Sequence, residues 1–339
     1  MPAARDLRTL PKAHLHLHFT GSMRPGTLLE LAAAHGVRLP NALTSAYPPR
    51  LSTTDARGWF RFQRLYDTAR SVLRTPDDVR RVVFEAAQDD AAEGSGWLEL
   101  QVDPSGYPGF GGLTPFVELM LDAARQAQAS TGVGVGIVIA ANRTRHPLDA
   151  RTLARLAARY AGAGVVGFGL SNDERRGRTA DFAPAFRIAR NAGLLSVPHG
   201  GELLGPASVI ACLDLLGADR LGHGVRAVED PRVLDQLATR GVVCEVCPWS
   251  NLSLGVAPRA ADVPLRVLRD AGVGIALGAD DPLLFGARLV AQYEFARARH
   301  GFSDTEIADL ARSSIQGSAA TPALKADLLA RVSDWLADG

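Results

Sequence analysis

The chain has 339 residues, 47% of them hydrophobic and 22% charged, with a formal net charge of +1 at pH 7. That apolar content supports a large core and excludes disorder as the main state. Near-neutral charge without a basic block gives no reason to expect a nucleic-acid partner, and no apolar run is long enough to span a bilayer, so no membrane partner is expected either.

The first strand candidate, "AHLHLHF" at 13–19, sets His14, His16 and His18 at period two. On a regular strand all three share one face, with Leu15 and Leu17 on the other. A row of imidazoles on one face suits a metal site. Residues 36–94 then insert extra helices, including a stretch that carries Trp59, Phe62 and Tyr66 on one helical face. Further strand candidates follow at 97–103, 132–139, 164–170, 194–200, 220–224, 242–248 and 273–281, separated mostly by helix-length stretches, and the tail after Ser303 reads as more helices. This alternation predicts a parallel sheet of βα units. Closure into a (β/α)8 TIM barrel is the simplest arrangement, and an open doubly wound sheet is the rival. With no internal repeat, linker or low-complexity segment, a single domain over 1–339 is expected.

In such a barrel, chemistry gathers at the C-terminal ends of the strands. His16 and His18 close the first predicted strand, His199 the fifth, His223 the sixth, and Asp280 and Asp281 the eighth. Three imidazoles and a carboxylate suit one zinc or a similar divalent ion with a position left for water. In "PHGGE", two glycines separate His199 from Glu202 and let the backbone turn sharply, so Glu202 stands beside the metal as a proton donor. In "GADDPLLFG", Asp280 serves the metal while Asp281 is free to accept hydrogen bonds from a substrate.

The three cysteines, Cys212, Cys244 and Cys247, follow no disulfide spacing and read as reduced thiols, hence a cytoplasmic protein. Cys244 and Cys247 lie three apart on a strand and face opposite ways, so they do not share an ion. The only lysines, Lys12 and Lys325, fall far from a middle strand, where binuclear barrels of this kind place a bridging carboxylated lysine. One metal is expected.

The stretches "LPKAHLHLHFTGSMRPGTLLELA", "SVPHGGE", "RLGHGVRAVEDP", "VCEVCPWSN" and "GADDPLLF" resemble, in order and along nearly the whole chain, the adenosine deaminase family of the amidohydrolase superfamily. The resemblance implies a (β/α)8 barrel in which one zinc, held by His16, His18, His199 and Asp280, activates water for hydrolysis of a purine 6-amino group. It also implies that Glu202 protonates ring N1, that Asp281 contacts N7, and that His223 orients or deprotonates the water. Glu245 is implied as a support for His223, and Trp59, Phe62 and Tyr66 as an apolar lid over the substrate.

The departures from the family pattern fall on the sugar side. Phe19-Thr20-Gly21 stands where Leu-Asp-Gly is common, and Gly169-Leu170-Ser171-Asn172 replaces Asp-Leu-Ala-Gly. Gln101 replaces a usual arginine, with Asp103 near the pocket rim, and His14 sits where glutamate is common. The expected activity is deamination of an adenosine-type nucleoside, adenosine or 2'-deoxyadenosine. Aminodeoxyfutalosine, adenine and N6-substituted adenylates are the alternative substrates. A catalytically silent purine-binding protein and a metal hydrolase of another bond are the rival classes. The only partner expected is the small-molecule purine, and the sequence does not decide between monomer and homo-oligomer.

Overall fold

Eight strands form where the apolar runs lie: β1 (Lys12–His18), β2 (Ser95–Val102), β3 (Gly134–Asn142), β4 (Val165–Ser171), β5 (Leu195–Gly200), β6 (Arg220–His223), β7 (Val243–Val246) and β8 (Gly274–Leu277). The structure, a computed structural model, describes residues 5–45, 47–49, 51–52 and 55–337. Residues 46, 50, 53 and 54 of the predicted helical insertion lie outside the described residues. Each strand pairs in parallel with the next, in chain order. Almost every strand residue is buried, as expected of a parallel sheet covered on both faces.

The sheet closes on itself beyond the last strand. His18 N–H donates to the Asp280 carbonyl and Asp280 N–H to the His16 carbonyl, both at 3.0 Å. The fold is therefore the (β/α)8 barrel expected.

Helices alternate with the strands. After β1 come α1 (Pro25–His35), α2 (Ala56–Arg70) and α3 (Pro76–Ala92); α4 (Leu113–Thr131), α5 (Pro147–Arg159) and α6 (Thr179–Asn191) follow β2, β3 and β4. The second half carries α7 (Pro206–Ala211), α8 (Pro231–Arg240), α9 (Pro248–Ser253), α10 (Leu265–Asp270), α11 (Pro282–Phe285) and α12 (Leu289–His300). The predicted tail is α13 (Asp304–Gly317) and α14 (Pro322–Ala337). Local chemistry sets several starts. Asp55 accepts the Gly58 N–H to begin α2, and Thr75 with Asp78 forms a reciprocal capping box ahead of α3.

One expectation fails in β1. The pairing with β2 shifts register between His14 and Leu17, so the strict alternation of faces is broken there. His16 and His18 still point into the barrel mouth, but His14 does not join them. Its Nδ1 lies 2.9 Å from Asp90 Oδ1 on α3, and its Nε2 accepts the Ala279 N–H at 3.1 Å.

Candidate active site

At the barrel mouth the sequence brings together residues from β1, β5, β6 and the loop after β8. Ligand atoms of His16, His18 and His199 lie within 4.8 Å of one another, as do those of His16, His223 and Asp280. His18 Nε2 is 3.3 Å from Asp280 Oδ1, and His16 Nε2 is 3.8 Å from the same oxygen. The approach depends on Gly222: a Cβ there would meet His199 Cδ2 at 2.4 Å and His16 Cε1 at 3.1 Å.

The donor set fits a divalent metal ion on two grounds. His16 Nε2 and His199 Nε2 are buried without a hydrogen-bond partner, an arrangement costly in a bare protein and resolved by a cation. Burial also holds both imidazoles below their ordinary pKa, in the neutral form that offers a lone pair. The ligand candidates are braced from behind: His16 Nδ1 sits 2.9 Å from Glu245 Oε2, which fixes Nε2 toward the cluster, and Asp280 Oδ2 accepts from Ser250 Oγ at 2.5 Å. Glu245 therefore supports His16, whereas the resemblance had pointed to His223. The nearest side-chain partner of His223 Nδ1 is Asn251 Nδ2, at 3.5 Å. Behind Glu245, the buried Arg220 guanidinium bonds Glu245 Oε1 at 2.6 Å and also Glu99, so the bracing carboxylates are compensated inside the barrel.

Glu202 and Asp281 face the same cavity as His18, His199, His223 and Asp280. Burial, then the charges of Asp280 and Glu174, pushes the Glu202 carboxyl well above the usual carboxylate range, and its Oε1 lies 3.6 Å from His223 Nε2. Burial and the neighbouring Asp280 raise Asp281 likewise. For Asp280, burial acts in the same upward direction, but the His18 hydrogen bond and the surrounding imidazoles outweigh it and keep the group ionised. Gly21 makes room for Asp281, because a Cβ at that position would fall 1.8 Å from Asp281 Oδ1.

Among the described residues, three non-glycine positions have positive φ: Asn172 (78°), His223 (67°) and Asp280 (61°). All three line this cavity. Each such conformation costs about 1–3 kcal/mol and persists only where the surroundings impose it, a pattern concentrated at functional sites.

The sugar-side candidates divide into two groups. Trp59, Phe62, Tyr66, Gln101, Asp103 and Asn172 line the cavity. Thr20 and Gly169 stand behind its wall: Thr20 Oγ1 pairs with the Tyr107 hydroxyl at 2.7 Å, and a Cβ on Gly169 would lie 3.6 Å from Gln101 Oε1. The Asn172 side chain is occupied by α2, its Oδ1 accepting from Trp59 Nε1 and its Nδ2 donating to Gln63 Oε1, both at 3.1 Å. Gln101 is the opposite case. It is 1% exposed, and neither its Oε1 nor its Nε2 has a partner.

The sequence reading missed Ser250, Asn251 and Glu174. The first two lie in a stretch singled out as a motif, "VCPWSN"; Glu174 lies in a loop with no distinguishing pattern.

The chain is similar to known proteins along nearly its whole length. The family described as adenosine deaminase matches residues 11–335. A "Putative adenosine/adenine deaminase" of Streptomyces virginiae is 66% identical over 337 residues, covering 99% of each chain. The crystal structure of adenine deaminase from Arthrobacter aurescens superposes with a TM-score of 0.88 at 30% identity, covering 97% of this chain and 99% of that one. An amidohydrolase from Burkholderia ambifaria, solved with bound Zn, gives a TM-score of 0.86 at 25% identity over 98% of this chain and 93% of its own.

Proposed function

Because the chain belongs to the adenosine deaminase family and is a hydrolase of amidine C–N bonds, we propose that it hydrolyses the 6-amino group of a purine and that its substrate is the free base adenine. The observation that carries the reaction is the Glu202 carboxyl, pushed well above the usual carboxylate range by burial and facing one cavity with His223 and the unpartnered His199 nitrogen. His16, His18, His199 and Asp280 would hold one zinc ion. When bound, such an ion supplies a Lewis acid that makes water a nucleophile near neutral pH.

The chain's own residues do the rest. Glu202 donates its proton to ring N1, which draws electron density from C6 and opens that carbon to addition. His223 takes a proton from the water that adds to C6 and passes it to the departing amine, which leaves as ammonia. The proton on the new C6 hydroxyl returns to Glu202, restoring the acid and leaving the oxopurine. Asp281, its carboxyl pushed up by burial and by Asp280, donates a hydrogen bond to N7.

The choice of the free base rests on the sugar side. Thr20 and Asn172 have their polar groups committed within the protein, leaving no free carboxylate or hydroxyl of theirs to receive a ribose. Gln101 offers one buried acceptor and one buried donor, the complement of the N9–H and N3 that adjoin on adenine and that a nucleoside lacks as a pair. The name of the Arthrobacter protein is in line with this reading.

The test is ammonia release from metal-replete protein given adenine, adenosine, 2'-deoxyadenosine, aminodeoxyfutalosine and N6-methyl-AMP. Adenine is expected to have the highest kcat/KM. A nucleoside or nucleotide turned over faster removes the substrate assignment, and silence across the panel removes the reaction. Glu202→Gln is expected to keep its metal and lose about 10²- to 10⁴-fold in kcat.

A further inference from the structure

Glu174 lies in the loop between β4 and α6, 2% exposed, and its carboxylate is turned toward the loop that follows β5. It accepts four consecutive backbone N–H groups: Gly201 at 2.7 Å, Glu202 at 3.0 Å, Leu203 at 2.6 Å and Leu204 at 2.9 Å. The Ser208 hydroxyl donates a fifth bond. Successive amides curl around one anion when the backbone passes through a left-handed residue, and Gly201 is that residue, at φ 71°. Glu174 is the anion in this concavity, and one of the peptides it holds belongs to Glu202.

We propose that Glu174 is a positioning residue for catalysis, holding the 201–204 backbone so that the Glu202 carboxyl stands at its proton-transfer position; the inference rests on Glu202 acting as the proton donor. Among the described residues no side chain holds the Glu202 carboxyl by a hydrogen bond, so its place is set by its backbone. His223 Nε2 is 3.6 Å from its Oε1, beyond a good hydrogen bond. Charge-assisted bonds to four adjacent amides therefore set where this acid stands. With an amide at position 174, one of the two acceptor oxygens becomes a donor facing N–H groups, and the loop must re-anchor. Purine contacts through Gln101 and Asp281, which belong to other strand ends, stay in place. The loss falls on proton transfer rather than on binding.

Three chains are compared with the parent: Glu174→Gln, Glu202→Gln and the double variant, each checked for metal content. Misplacing a reacting group by about 1 Å costs about 100-fold. Glu174→Gln is expected to lower kcat by about that factor, with KM for adenine changed less than about threefold. In the Glu202→Gln background the same change is expected to alter the residual kcat by less than about threefold, because the acid it positions is already gone. Amide hydrogen exchange over residues 201–204 is expected to accelerate in Glu174→Gln.

An equal loss in both backgrounds, a KM rise with kcat preserved, or unchanged exchange at 201–204 overturns the positioning role. Full turnover by Glu202→Gln overturns instead the underlying assignment of the proton donor, so the two failures read differently. If Glu174→Gln does not fold, Glu174→Asp carries the same comparison. It keeps the charge and shortens the reach, and a kcat loss confined to the Glu202 background supports the role, while a loss in both overturns it.

Discussion

The Glu245 carboxylate lies 2.9 Å from His16 Nδ1, with both side chains fully buried. This bond selects the tautomer that leaves His16 Nε2 bare toward His199 and Asp280, and Arg220 in turn holds the second oxygen of Glu245. Glu245→Gln retains the shape and removes the charge. Such outer partners commonly account for 10- to 100-fold in metal affinity. Competition with a chelator is expected to show zinc binding weakened by about that factor, and unchanged affinity would exclude Glu245 from the support of the site.

Gln101 leaves two polar atoms without a protein partner in the cavity, and the effects of replacing it on stability and on binding should have opposite signs. Gln101→Leu removes a buried amide that satisfies nothing in the free protein, so the thermal midpoint is expected to hold or rise. Leaving the purine edge without its partners costs about 1–3 kcal/mol, so KM for adenine is expected to rise about tenfold or more. Calorimetry and steady-state kinetics on the same preparation check both directions, and a falling midpoint with constant KM would mark Gln101 as a structural residue.

Trp59 joins α2 to the barrel rim through its 3.1 Å bond to Asn172 Oδ1, while its ring packs on Phe62, which stacks on Phe285 after β8. Trp59→Phe keeps the ring contact and deletes the donor. A neutral hydrogen bond contributes about 0.5–1.5 kcal/mol net, so KM is expected to rise about 2- to 10-fold. A KM within error of the parent would show that α2 closes the cavity by packing alone.

Glu306 opens α13 as the third residue of a capping box with Ser303 and also pairs with Arg266 from α10. The Arg266 hydrogen bond is the main reason its carboxyl is held down to about 2, against an ordinary 4.5. A depressed carboxyl stabilises the fold above its unfolded value and loses that contribution as the pH falls through its folded value. The difference in thermal midpoint between the parent and Glu306→Gln is therefore expected to be full above 4.5 and to shrink as the pH drops toward about 2. A difference that is flat with pH would mean that the cap, not the charge, does the stabilising.

The barrel is legible in the sequence because strands buried on both faces read as short unbroken apolar runs, and punctuating helices of regular length imply parallel neighbours. The clustering of His16, His18, His199, His223 and Asp280 is legible for the same reason, since strand ends in this architecture share one rim. His14 was misplaced because a bulge leaves no trace in an alternating pattern: "HLHLH" is identical whether or not the backbone inserts a residue between partners. Glu245 could be placed near the histidines but not matched to one of them, because the choice between His16 and His223 turns on side-chain direction across neighbouring strands. Glu174 was invisible for a deeper reason. Its partners are backbone amides of a distant loop, and main-chain donors carry no residue identity for a sequence to display.

The seam between the first strand and the loop after the last is made by the same two peptide contacts that bring Asp280 beside His16 and His18. Ring closure and the approach of Asp280 to the two histidines are thus one and the same contact, joining segments distant in the chain. A cation held by His16, His18 and Asp280 would act as a rivet across the one joint of the barrel that no crossover helix ties.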